Sequence, residues 1–174
     1  MARTLTNPTA RPPAGGAARG RKPASRAPQS TGQGVVKSWL ERPTAAPVTA
    51  GFTATRLIGA LKAGLPVEEL DVLREALDLP MDKLLPRLGL AKATFHRRKA
   101  AGRLDMAESD RVVRYARLLG LATHVMESLE GGRRWLTAPQ VGLGGATPLE
   151  FAETEVGARE VENLLGRLEY GVYS

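Results

Sequence analysis

Asp105-Met106-Ala107-Glu108 opens a run of residues that continues without proline to Leu129. An acceptor side chain with a carboxylate three residues on is a capping box, which satisfies two of the amides left unpaired at a helix start. The spacing predicts one long helix from Met106 to Leu129. Val112, Ala116, Leu119, Thr123 and Met126 fall on one seam with near-heptad spacing, and Val113, Leu121, Val125 and Leu129 widen the apolar face. A helix this broadly apolar needs neighbours on more than one side. Core packing accounts for most of that face, and a dimer interface is the use left for any excess. Arg111, Arg114 and Arg117 recur every three residues and read as solvated, or as paired with Glu108 and Asp110. His124 reads as a structural residue. Gly131-Gly132 reads as the stop.

No alternating apolar and polar run bounded by turns occurs anywhere, so the chain is expected to be all-α. Upstream, Thr53 or Thr55 can cap a helix carrying Leu57, Ile58 and Leu61, with Gly64 as its stop and Leu65 as the apolar contact beyond. Pro66 suits a first helical position, with Glu68 and Glu69 in the first turn. Leu70, Leu73 and Leu77 give that second helix one apolar stripe. A third starts near Pro80, carries Met81, Leu84 and Leu85, and should end or bend at Pro86, which lacks a backbone donor.

After a turn at Gly89 comes a strongly basic segment, Ala91 to Arg103. Two short helices around a Gly-containing turn, the second basic, have the form of a helix-turn-helix. In that reading Ala91, Ala93 and Phe95 supply the buried side. Lys92, Thr94, His96, Arg97, Arg98, Lys99 and Arg103 are the candidate DNA-binding residues, since long donors reach phosphates or base edges. The competing reading is a solvated basic helix end, where Lys and Arg also complement the helix dipole.

Charge is unevenly placed along the 174 residues. Residues 1–50 hold eight Lys/Arg and one Glu, residues 51–104 ten basic and six acidic, and residues 105–174 seven basic and eleven acidic. A polyanion would favour the first half and be repelled by the last. Residues 1–34 are rich in Arg, Pro, Gly and Ala and bury too little apolar surface to offset ordering entropy, so they read as a disordered tail. Its two readings are an arm that touches nucleic acid and a solvated linker. Val35 to Leu40 is an apolar island within it, read either as docking on the fold or as a partner contact.

Cysteine is absent, which excludes disulfides and thiolate chemistry, and two histidines are too few for a histidine cage. No metal site, cofactor or small-molecule substrate is expected. No apolar run approaches the roughly 20 residues of a membrane span. The N-terminus lacks the apolar core of a secretory signal. It is Arg-rich and acid-free as a transit peptide is, but its Pro and Gly argue against the amphipathic helix one needs. A cytoplasmic location is the default.

In the last forty residues, Trp135-Leu136 reads as an apolar anchor. Leu143-Gly144-Gly145-Ala146 reads as a structural turn, since it lacks the Gly-Lys-Ser/Thr of a phosphate loop. Thr147-Pro148-Leu149-Glu150 is a second capping box, opening a short helix to about Glu153. Val156, Val161, Leu164, Leu165 and Leu168 stripe a last helix that ends before Gly171. No nucleophile–base pair can be assembled, so an enzyme is not expected.

These residues resemble a known family. Arg103-Leu104, Glu108 to Arg111, Trp135-Leu136, Leu143 to Leu149 and Gly171-Val172 stand in the order and rough spacing of the Xre/MbcA/ParS antitoxins. The resemblance covers about Gly51 to Ser174 and is most specific in its C-terminal part. Thr94 and Arg97-Arg98 carry it more loosely in the basic helix. It implies the antitoxin of a type II toxin–antitoxin pair, a homodimer whose partners are a RES-domain toxin and the operator DNA of its own promoter. Such toxins consume NAD or modify a metabolic enzyme. By the resemblance, residues 51–103 form the helix-turn-helix domain and residues 104–174 the toxin-binding and dimerisation domain, after a tail at 1–50. Glu169, Tyr170, Gly171, Val172, Tyr173 and Ser174 become the plug that enters the toxin's cleft; packing of Tyr170 and Tyr173 on the preceding helices is the alternative. A stand-alone regulator and a toxin-binding protein without DNA binding are the other functions weighed.

Overall fold

The computed structural model describes Met1, residues 34–41 and residues 54–171. Among the described residues there are helices and turns but no strand; one isolated bridge joins Pro66 to Arg103. The helices are α1 (Val35–Glu41), α2 (Ala54–Ala63), α3 (Glu68–Leu77), α4 (Met81–Arg87), α5 (Lys92–Ala101), α6 (Met106–Val125), α7 (Leu129–Thr137), α8 (Pro148–Phe151) and α9 (Glu155–Glu169). None is long and apolar enough to cross a membrane.

The centre of the fold is α6. Its capping box forms as expected: the Asp105 carboxylate accepts from Glu108 N at 2.7 Å, and the Glu108 carboxylate accepts from Asp105 N at 2.8 Å. Val112, Val113, Tyr115, Ala116, Leu118, Leu119 and Ala122 are buried on it. It packs against α1, α2, α3, α7 and α9, so one continuous apolar core runs from Val35 to Leu165. The breadth of its apolar face is thus used largely inside one chain.

The end of α6 differs from the sequence expectation. It stops at Val125, Glu127 takes a left-handed φ of 58°, and Ser128 starts a new helix by accepting from Gly131 N at 3.0 Å. Gly131 and Gly132 therefore lie inside α7 and do not end α6. Gly132 is required there by proximity: a Cβ would lie 2.7 Å from Thr123 N on α6. Gly132 serves close helix approach, a use of glycine that looks the same in sequence as a stop.

A second difference lies at the other end of the chain. The expected tail runs to residue 50, but α1 is part of the core, with Val35 and Val36 fully buried and Trp39 8% exposed. Of the two readings of this island, docking on the fold is the one observed. Glu69 from α3 holds it: its carboxylate, 3% exposed, accepts from Gly34 N and from Val36 N at 2.8 Å. A buried carboxylate is tolerable only with such donors. The expected disorder of residues 2–33, and the Thr53 cap, lie outside the described residues.

Other helices match with smaller shifts. Leu70, Leu73 and Leu77 are buried on α3, which begins at Glu68, two residues after Pro66. Pro86 sits in the last turn of α4, which ends at Arg87. On α2 only Ala60 is buried, while Ile58 is 51% exposed. The second capping box forms, with Thr147 Oγ1 and the Glu150 carboxylate each 3.3 Å from the other's amide. The preceding turn is a single 3-10 turn (Val141–Leu143) closed by Gly144 and Gly145, both at positive φ. On α9 the buried face is Gly157, Ala158, Val161 and Leu165; Val156, expected in that stripe, is 74% exposed. Gly157 takes its place because a Cβ there would collide with Phe151 O.

Candidate functional site

The basic helix α5 follows α4 across a tight turn in which Gly89 adopts φ 63°. Arg111 of α6 braces that turn, donating from Nη1 to Leu88 O at 3.0 Å. Leu88, Leu90 and Leu104 are buried and pin the segments on either side of α5. No residue of α5 itself is buried. Ala91 and Ala93, expected to supply its buried side, are exposed, and only Phe95 packs against the core. The flanking leucines do that work instead, so the alanine methyls need no contact.

A polar clamp supplements those contacts. Arg98 Nε lies 2.7 Å and 3.0 Å from the two Glu108 oxygens, and Arg98 Nη2 lies 2.6 Å from Asp105 Oδ2. The hydrogen bond to Glu108 leads in raising the Arg98 guanidinium above its usual range, so it stays charged. The capping box of α6 is thereby also the dock for α5. Arg103 is similarly occupied: its Nη1 donates to Gly64 O at 2.6 Å, at the C-terminal end of α2. Lys92, His96, Arg97 and Lys99 are exposed and make no ion pair among the described residues. Thr94 is half-buried. The seven candidate residues thus separate into Arg98 and Arg103, bonded within the chain, and an outward-facing remainder.

At the far end, α9 lies along α6. Arg114 pairs with Asp110 at 3.0 Å and with Glu155 at 3.2 Å, and Arg117 pairs with Glu162. Of the two partners expected for this arginine row, Asp110 is found; Glu108 belongs to Arg98. His124 Nε2 stands 3.4 Å from Glu169, joining the two helix ends. Tyr170 is 79% exposed, so it does not pack on the preceding helices. Gly171 follows with φ 66°. Val172, Tyr173 and Ser174 lie outside the described residues.

Two linking residues escaped the sequence reading. Tyr115 is fully buried in α6, and its hydroxyl donates to Leu149 O at 3.0 Å, with Arg87 O at 3.3 Å. It ties the end of α4 to α8, and burial raises its pKa, keeping it protonated. Its spacing from Val112 and Leu119, three and four residues, was the available signal. Arg133 of α7 donates to Glu75 O at 2.8 Å and to Ala76 O, capping the end of α3. No group of acidic or histidine side chains among the described residues is placed to hold a metal ion.

Comparison with known proteins fits this division. Residues 56–117 match the antitoxin Xre-like helix-turn-helix domain, and residues 121–171 match the antitoxin Xre/MbcA/ParS C-terminal toxin-binding domain. The first match runs well into α6 and the second begins near its end. Antitoxin Xre of Yersinia enterocolitica is 33% identical over 129 residues, covering 71% of this chain and 87% of that protein. Antitoxin Xre of Photorhabdus laumondii is 31% identical over 134 residues, covering 72% and 88%. The Prs ADP-ribosylating antitoxin of Sphingobium sp. strain YBL2 is 26% identical over 129 residues, covering 67% and 80%. A helix-turn-helix domain followed by a C-terminal toxin-binding domain is what these matches describe, and this chain belongs to the Xre antitoxins.

Proposed function

We propose that the protein neutralises a RES-domain toxin through its C-terminal domain and represses its own operon through α5. The observation that carries the DNA half is the outward row of Lys92, His96, Arg97 and Lys99 on a helix whose inner side is clamped by Arg98. Long donors on an exposed helix suit the major groove, where they meet phosphates and base edges. Within this reading Arg98 and Arg103 hold the helix in place. For the toxin half, Tyr170 projects from the end of α9 beside the His124–Glu169 pair and leads into Val172-Tyr173-Ser174. A short aromatic segment is suited to a cleft built for a ring-bearing substrate. The RES identity of that toxin rests on the resemblance of Leu143 to Leu149 and Gly171-Val172 to the family's motifs. A homodimer belongs to the same reading. Ile58 and Met106 beside the α2–α6 groove of about 410 Å³, and Val141 and Val156 on the C-terminal domain, remain exposed as apolar contacts for partners.

Removing Tyr170 to Ser174 tests the toxin half. Cells carrying the cognate toxin should lose protection although the truncated chain keeps its helical signal; full protection would sink the plug. Replacing Arg97 and Lys99 by alanine tests the DNA half, and promoter preference should disappear.

A further inference from the structure

We propose that the cleft at the junction of α6 and α7 is a second docking site for the toxin, and that it receives an apolar side chain standing on the rim of the toxin's own cleft; this rests on the toxin reading of the C-terminal domain. The need for such a site follows from size. A stable interface between two proteins takes roughly 20–30 residues from each side. The six residues of the plug, Glu169 to Ser174, supply at most about a third of that. The surface around the root of the plug has to supply the rest.

That root lies beside the cleft. His124 Nε2 stands 3.4 Å from Glu169. Two residues on from His124, Met126 caps α6 and lines the cleft. Two residues span at most about 7 Å in any conformation, so a toxin that takes the plug also covers this end of α6. The cleft has a volume of about 470 Å³, with Met126, Trp135 and Ala138 among its walls. Met126 and Trp135 are only partly buried against the core, which leaves apolar surface for the cleft. Apolar side chains also surround it: Leu129, between Ser128 and Glu130 of the lining, is 37% exposed, and Val141, next to Gln140 of the lining, is 98% exposed.

Val141 stands on a turn that is already braced. Gln140 N–H donates to Ala146 O, and Gly145 N–H donates to Gln140 O. Gln140 Nε2 donates to Trp135 O at 3.0 Å and to Ala138 O at 3.1 Å. A contact presented in its bound form loses little freedom on docking. The Glu130–Arg134 ion pair, largely in solvent, gives the cleft a polar edge. An aromatic anchor in a cleft with a polar rim is the arrangement of an interface hot spot.

The test titrates the cognate RES-domain toxin, in an inactive form, into four chains: wild type, Ala138→Arg, which fills the cleft, Val141→Asp, and a chain lacking Tyr170 to Ser174. Each of the two cleft variants should weaken binding about tenfold or more. Thermal melting of Val141→Asp should match wild type, because the side chain it alters lies in solvent. Fluorinated tryptophan gives a direct readout, since the chain has two tryptophans. On adding toxin the Trp135 fluorine resonance should shift, and that of Trp39, buried in the core, should stay in place. Full affinity in Val141→Asp, or an unmoved Trp135 resonance, overturns the cleft; if removing the tail still weakens binding, the plug stands. Weakening by the cleft variants with full affinity in the tail-less chain overturns the plug and keeps the cleft. A wild-type chain that does not bind the toxin overturns both.

Discussion

The helix proposed to contact DNA, α5, and the helix that leads into the proposed plug, α9, are held by different physics. Helix α9 buries Gly157, Ala158, Val161 and Leu165 against α6, and its ion pairs lie along the edges of that contact. Helix α5 buries nothing and is held by Phe95, by Arg98 on Glu108 and Asp105, and by leucines outside its own span. A helix that must expose donors along its length has little room for an apolar stripe. A charged clamp is a way to orient such a helix while using only one of its long side chains. If this contrast is sound, truncations in α9 should act on stability, and substitutions in the clamp should act on DNA binding.

The largest effect is expected from Leu165→Ala. Leu165 is 1% exposed, and removing a buried leucine side chain costs about 2–5 kcal/mol. Phe95→Ala, at a half-buried position, should cost less than half as much. Urea denaturation of both variants measures the gap; equal losses would erase the contrast between the helices.

Next comes Tyr115→Phe, at the joint between the two halves. It removes a buried hydroxyl that bonds Leu149 O, with Arg87 O nearby, and should cost about 1–2 kcal/mol. The pH dependence has a definite sign. Burial raises the Tyr115 pKa above its ordinary 10.0, so the folded state favours the protonated form. That stabilisation is fully present below about pH 10 and declines as pH rises towards the folded value. Wild-type protein should lose stability there by a component that Tyr115→Phe lacks.

The clamp gives a smaller effect with a clearer signature. Glu108→Gln preserves a capping box but removes the charge facing Arg98. Promoter affinity should fall by a factor of about three to ten as α5 loses its orientation, with the thermal midpoint nearly unmoved. The salt slope should stay the same, because every cation that reaches a phosphate is still present. Tighter binding by this variant would mean that Arg98 belongs to the DNA and that the clamp opposes recognition.

Much of this architecture was legible because it is written in local chemistry. Asp105–Glu108 and Thr147–Glu150 are capping boxes whose partners lie three residues away, and both form. Features that were missed or misread depended on partners distant in sequence. Glu69 is the first-turn carboxylate expected, but its reach back across 35 residues to hold Gly34 was not visible. Gly132 looked like a stop, but its reason is the backbone of Thr123. Basic residues could be enumerated from α5, but which of them face inward could not, because Arg98 and Arg103 are distinguished only by acceptors on α6 and α2. The exposure of Tyr170 likewise depends on which faces α6 and α9 give each other.

The smallest expected effect separates a local cap from a long-range clamp. Glu150 is a surface residue whose pKa is lowered, first by hydrogen bonding to Thr147 and further by the nearby Arg87. A carboxyl whose folded pKa is lowered stabilises the fold above its ordinary value, near 4.5. It loses that contribution as pH falls through the folded value. Glu150→Gln should therefore lower the thermal midpoint slightly at pH 7, and the difference from wild type should close as the solution is acidified below about pH 4.5. Because Glu150 bonds Thr147 and Arg87 rather than a residue of α5, promoter binding should be untouched at neutral pH. A drop in DNA affinity in Glu150→Gln comparable to that in Glu108→Gln would show that the Arg87–Glu150 pair also sets the pose of the helix-turn-helix. The division between a clamped half and a packed half would then have to be redrawn across α4.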